Sequence, residues 1–132
     1  MIDELISLAE SNLKSPGGSF KYVGKAYSMQ ALEDLQGEVP ALLFIPGEDS
    51  GAESTGSNPV RQMVVRRVQA WIVADAGSIM TLSNEVRPVL LGYRPFSNRS
   101  YSRLEFESGK PFDIKGVMWY VETYRTQHQL AP

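Results

Sequence analysis

The chain has no cysteine and only one histidine, His128. The first absence excludes disulfides, zinc ribbons and thiol nucleophiles together. No apolar run approaches the ~18 residues that a membrane-spanning helix requires, so no membrane partner is expected. The N-terminus, Met1-Ile2-Asp3-Glu4, is acidic, where a secretory leader begins with basic residues. These features predict a soluble protein made in the cytosol. There is no excess of charge of one sign either. Thirteen Lys and Arg against 15 Asp and Glu give a net charge of −2, too small a global field to favour nucleic acid or acidic membranes.

What is present suits a packed interior. At 132 residues and 42% hydrophobic content, the chain predicts a single α+β domain over residues 1–132. Ile2, Leu5, Ile6, Ala9 and Leu13 fall at helical spacing and predict an amphipathic first helix stopped by Ser15-Pro16-Gly17-Gly18. Phe20 to Val23 reads as a short strand and Ser28 to Leu35 as a helix. Ala41-Leu42-Leu43-Phe44-Ile45, between Pro40 and Pro46-Gly47, reads as a buried strand.

Arg61 to Asp75 is the longest strand candidate. Val64, Val68, Ala70, Ile72 and Ala74 share one face, and Met63, Val65, Trp71 and Val73 the other. Apolar residues on both faces from Val68 onward predict a central strand covered on both sides. Gly47 to Pro59, polar and free of bulky apolar residues, predicts a mobile loop joining the two strands as an extended antiparallel hairpin.

Ser78 is the expected N-cap of a second long helix with Ile79, Leu82, Val86, Val89 and Leu90 inward. Pro88 predicts a kink near Asn84 or an early end, and Gly92 a left-handed C-cap. Leu104 to Glu107 and Phe112 to Ile114 read as two strands around a turn at Ser108-Gly109-Lys110-Pro111. After another turn at Lys115-Gly116, Val117 to Leu130 reads as a long final strand, with Val117, Trp119 and Val121 on one face and Met118, Tyr120 and Tyr124 on the other. Helices against a mostly antiparallel or mixed sheet, with a long hairpin, complete the expected architecture.

No catalytic or metal constellation emerges. His128 lies in a polar segment, Thr126-Gln127-His128-Gln129, with no nucleophile signature beside it. Glu105 and Glu107 project to one face of a strand, where paired carboxylates divide acid and base work or more often form a solvated surface. Glu48, Asp49 and Glu53 miss the spacing of a calcium loop, and Gly47, Gly51 and Gly56 are not followed by the Lys-Ser/Thr of a phosphate loop. No cofactor and no enzymatic activity are expected.

The charge is segregated. Arg87, Arg94, Arg99 and Arg103 lie in a stretch with no acid, Arg61, Arg66 and Arg67 form a second basic cluster, and Gly47 to Pro59 carries three carboxylates and no base. Such segregation suits a self-complementary surface in which an acidic patch of one copy meets a basic patch of the next, a contact that closes into a ring when repeated head to tail. The alternative use of the arginines is DNA phosphate, with Tyr93, Phe96 and Tyr101 stacking on bases. The interface candidates are Glu48, Asp49, Glu53, Arg61, Arg66, Arg67, Arg94, Asn98, Arg99 and Arg103.

One ordered set of segments resembles the tail terminator proteins of long-tailed phages, including Mu-like prophage minor tail proteins. The segments are Val39-Pro40-Ala41-Leu42-Leu43-Phe44-Ile45-Pro46, Arg61-Gln62, Val89-Leu90-Leu91-Gly92-Tyr93-Arg94-Pro95, Leu104-Glu105-Phe106, Gly109-Lys110, Val117-Met118-Trp119-Tyr120 and Tyr124-Arg125-Thr126-Gln127. They span roughly residues 39 to 130, and the N-terminal third fits as a leading helix.

The resemblance implies a non-enzymatic virion protein assembled in the host cytoplasm. It implies a homohexameric ring at the head-proximal end of the tail, capping the tail tube and ending its polymerisation. Tail tube protein below and a head-completion or neck protein above are the implied partners, and DNA passes through the lumen without sequence-specific binding. A head–tail joining protein is the alternative within assembly, and a small hydrolase or ligand-binding domain using Glu105, Glu107 or His128 the alternative outside it.

Overall fold

The computed structural model describes residues 1–25, 39–51, 62–114 and 117–130. In chain order the described elements are helix α1 (Ile2–Leu13), strands β1 (Tyr22–Lys25), β2 (Ala41–Pro46), β3 (Ser50–Gly51) and β4 (Gln62–Ala74), helix α2 (Ile79–Leu90), and strands β5 (Glu105–Ile114) and β6 (Val117–Leu130). The strands form one sheet in the order β1-β2-β4-β6-β5, with β3 pairing β4 beside the end of β2. Only β1 and β2 run parallel, so the sheet is mixed. With helices packed on the sheet, the fold is α+β as expected.

Both helices cover one face. Leu5, Ala9 and Leu13 of α1, with Ile79, Leu82, Val86 and Leu90 of α2, bury against Leu42, Phe44, Val68, Ala70, Ile72, Ala74 and Tyr124 of the sheet. Each large aliphatic side chain so buried contributes about 1.5–3 kcal/mol. The opposite face carries a smaller cluster of Ala41, Leu43, Val73 and Trp119, with Tyr22, Val39 and Trp71 packed on it. Both faces of β4 are thus apolar toward its C-terminal end, as its sequence predicts.

The structure moves or removes several expected boundaries. The first strand begins at Tyr22, two residues later than expected, because Phe20 closes the preceding turn instead. Its N–H donates to Leu13 O at 3.0 Å and its carbonyl accepts from Ser15 N–H at 2.8 Å. The hairpin of β2 and β4 is present in register Ala41↔Val73 to Pro46↔Val68, but the start of the expected loop is itself paired. Gly47 N–H donates to Arg67 O at 2.9 Å, and Ser50 and Gly51 pair with Val65 and Val64.

No turn occurs at Ser108–Pro111. These residues lie inside β5, which pairs with β6 from Glu105↔Arg125 to Ile114↔Val117 across an irregularity between Phe106 and Ser108. Turn-type residues are tolerated there because β5 is an edge strand, where a missing proline N–H breaks no ladder. Gly109 also sits where any Cβ would collide with the Tyr120 ring. Helix α2 does not end early at Pro88 but continues to Leu90. Pro88 and Asn84 both lie on the exposed side of the helix, where a carbonyl that loses its partner has water within reach. Ser78 stands at the N-cap position but makes no capping hydrogen bond. The chain enters through a short 3-10 turn, Ala76–Ser78, which leaves Ser78 in near-helical geometry (φ −99°, ψ −15°). Gly92 adopts the left-handed conformation expected of it, with φ 85°. The expected helix at Ser28–Leu35 and the turn at Lys115-Gly116 lie outside the described residues.

Leu42 is fully buried whereas Met80 is 56% exposed. Leu42→Ala should therefore cost about 2–5 kcal/mol and Met80→Ala within about 0.5 kcal/mol, measured by urea unfolding of the two variants side by side.

Candidate interaction surface

Between α2 and β5 the chain makes a closed loop over residues 93–103. Its base is pinned by two backbone hydrogen bonds, Gly92 N–H to Leu104 O at 2.9 Å and Leu104 N–H to Tyr93 O at 2.7 Å. Leu104 itself is buried, so the loop springs from the core. Inside it, Asn98 Oδ1 accepts from both the N–H and the hydroxyl of Ser100 at 2.9 Å, the self-capped turn that Asn favours. Arg103 donates to Gly92 O at 2.9 Å and ties the loop's exit to its entry.

Helix α1 holds the loop from the side. Glu4 accepts from the Tyr93 hydroxyl at 2.7 Å and from the Phe96 N–H at 3.0 Å. Phe96 and Ser97 lie at φ 57° and 48°, a left-handed conformation that costs about 1–3 kcal/mol per non-glycine residue. The charge-assisted bond from Glu4 offsets part of that cost. The same contact, together with burial, raises the Tyr93 phenol from 10.0 to about 12. As a consequence Phe96 is 49% exposed at the loop tip. It packs edge-on against Tyr101 at 5.2 Å, and Tyr101 stacks on His128 at 4.5 Å.

The loop docks along β6 beyond the start of β5. Ser102 N–H donates to Gln127 O at 2.8 Å, and Gln127 N–H to Ser102 Oγ at 2.9 Å. Tyr93, Arg94, Ser97, Arg99 and Arg103 line an open depression of about 620 Å³ on this loop. Among the described residues no carboxylate pairs with Arg94, Arg99 or Arg103.

The other candidates lie across the sheet, on the hairpin of β2, β3 and β4. Arg66 sits 3.6 Å from Asp49. Arg67 reaches Glu107 at 2.9 Å, Glu48 O at 3.3 Å and Ser50 Oγ at 3.0 Å. The hydrogen bond to Glu107, then the charges of Glu107, Glu48 and Asp49, raise the Arg67 guanidinium above its ordinary value against the opposing effect of burial. Arg66 and Arg67 are therefore engaged within the chain, and the exposed Glu48 offers Arg67 its backbone carbonyl and a more distant charge. Glu53 and Arg61 lie outside the described residues. Glu105 and Glu107 do share a side of the sheet, where both lie near Arg125, at 3.6 and 3.8 Å.

Two features escaped the sequence reading. His128, in the polar segment near the end of β6, is buried, at 6% exposed. Glu122 is fully buried, accepting from Arg87 Nε at 2.6 Å, Ser83 Oγ at 3.0 Å and the Tyr124 hydroxyl at 3.2 Å. Burial and the Glu122 charge push the Tyr124 phenol up, and the hydrogen bond to Glu122 holds Arg87 up. The signal for Glu122 was available. It shares the inward parity of Met118, Tyr120 and Tyr124, and a carboxylate on a buried face demands partners. Among the described residues no group of three or more His, Asp or Glu is placed to hold a metal, and no helix is long and apolar enough to cross a membrane.

The described fold thus carries charged groups on the hairpin margin and charged and aromatic groups on the docked edge loop. The chain matches the phage tail terminator protein family over residues 5–132 and belongs to that family. It is accordingly a structural protein of the phage tail, and the match extends the resemblance of residues 39–130 through most of α1. A chain from the virion of a native gene transfer agent (GTA) particle is similar in fold, with a TM-score of 0.55 and 14% identity over 96% of this chain and 84% of that one. Comparison with curated proteins finds no match.

Two outcomes follow from this geometry. Arg87→Met should cost about 3–5 kcal/mol by stranding the buried Glu122 carboxylate. Arg87→Met/Glu122→Met should cost less than the sum of the single changes, as a double-mutant cycle by denaturant unfolding would reveal. Tyr93 contributes stability that is complete below pH 10 and lost as pH rises from 10 to about 12, because its raised folded-state value favours the protonated phenol. Tyr93→Phe should remove that part of the alkaline decline, read as the difference between the two proteins' pH–stability curves.

Proposed function

We propose that this chain is the terminator of a phage tail. Identical copies form a ring, on the family pattern a hexamer, that caps the tail tube, ends its polymerisation and offers a surface to the head-completion or neck protein. The ring sits at the head-proximal end, is assembled in the host cytoplasm, and lets DNA pass through its lumen without reading sequence. The role is mechanical and needs no catalytic group or cofactor, and one domain over residues 1–132 carries it. The observation that carries this reading is the family match along residues 5–132. The likeness to a chain of a gene transfer agent virion supports it at the level of fold.

The physical logic is that of an end cap. One face of the ring accepts the last layer of tube subunits, and the other accepts none. Glu48, Asp49, Glu53, Arg61, Arg66 and Arg67 around the hairpin, and Arg94, Asn98, Arg99 and Arg103 on the edge loop, are the contact candidates.

Particles made without the protein should show overlong, headless tails by electron microscopy, and tails of normal length would refute termination. Deleting residues 48–57 should leave a folded monomer that no longer arrests tube growth when mixed with purified tail-tube subunits.

A further inference from the structure

The two charged segments lie on opposite margins of one end of the sheet. A single transverse row shows this: Ser50 pairs with Val65, Val65 with Gln127, and Gln127 O accepts from Ser102 N–H. Glu48 and Asp49 precede the first residue of that row. The arginine-bearing loop contains the last. Strand spacing puts about 14 Å of sheet between the margins, beyond the Debye length of about 8 Å at physiological salt. The two patches therefore do not neutralise one another within a molecule. Glu48 and Asp49 are exposed; Asp49 lies 3.6 Å from Arg66, whereas the Glu48 carboxylate makes no ion pair among the described residues and meets only the more distant charge of Arg67. Arg94 and Arg99 make no ion pair among them either, and exposed Leu91 and Phe96 stand near them.

We infer that these margins are the two halves of a seam between copies of this chain. The Glu48–Asp49 margin of one copy docks on the Arg94–Arg99 loop of the next. The occupant is a second copy because the exposed Glu48 carboxylate on one margin and the Arg94 and Arg99 guanidiniums on the other are opposite charges with no ion-pair partner among the described residues. Their placement on opposite sides of one sheet end makes the contact head to tail, the arrangement that closes into a ring. Arginines flanked by exposed apolar side chains also match the composition of protein interface centres. This inference rests on the ring reading above and assigns its lateral contact.

The test is charge reversal followed by sedimentation velocity, with and without purified tail-tube protein. Arg94→Glu/Arg99→Glu and Glu48→Arg/Asp49→Arg should each weaken self-association at least about tenfold, through like-charge repulsion added to the lost pairs. The four-fold variant carrying both changes should restore it. Wild-type association should weaken between about 0.1 M and about 1 M salt. All variants should keep the wild-type far-ultraviolet dichroism, because none of the four side chains is buried.

Equal association of wild type and all variants would overturn the seam and leave the ring standing. A wild type that stays monomeric even with tube protein would overturn both. If Arg94→Glu/Arg99→Glu still assembles but loses binding to a short DNA duplex that wild type retains, the loop is a nucleic-acid site and the seam is refuted.

Discussion

The antiparallel ladder between β4 and β6 organises the molecule. It runs unbroken from Gln62↔Leu130 to Ala74↔Met118. One end lies beneath the helices and is apolar on both faces. The other carries Arg66, Arg67, Arg125 and Gln127, with neighbours added on each side. Because side chains alternate strictly along a strand, a slip of one residue would exchange the two faces. The apolar pattern at the covered end therefore fixes which groups appear at the exposed end. Core packing and surface chemistry are properties of the same two strands.

Glu122 sits where those two regimes meet. It occupies an inward position of β6, under α2, yet carries a charge. Arg87, Ser83 and Tyr124 answer it, and the Arg87 guanidinium in turn lies 4.6 Å above the Phe106 ring of the edge strand. One buried carboxylate thus links α2, β6 and β5. Such an arrangement adds little net stability over an apolar replacement. Its geometric demand is strict, however, since helix and strand can satisfy it in only one relative placement.

Much of the fold was legible in residue order because long periodic segments leave little freedom. The stripe of α1, the two faces of β4 and the full extent of β6 follow from spacing alone. Ser108–Pro111 misled because turn-type residues describe what a backbone tolerates, and an edge strand tolerates them too. Pro88 did not end the helix early because its cost depends on whether the freed carbonyl meets water. At the candidate surface, the arginines were visible as a stretch without acids. Their frame was not, since it depends on Glu4, some ninety positions away in the sequence. The pairing of Arg66 with Asp49 and of Arg67 with Glu107 was equally hidden, because sequence records charges but not which of them have already found each other.

The loop over residues 93–103 is held largely by parts that do not depend on its outward-facing side chains. Backbone bonds close its base, Glu4 grips a main-chain amide, and Ser102 fastens it to β6. The side chains of Arg94 and Arg99 make no hydrogen bond or ion pair in that scaffold among the described residues. The outward charge at these two positions can therefore change while the loop that displays it keeps its shape.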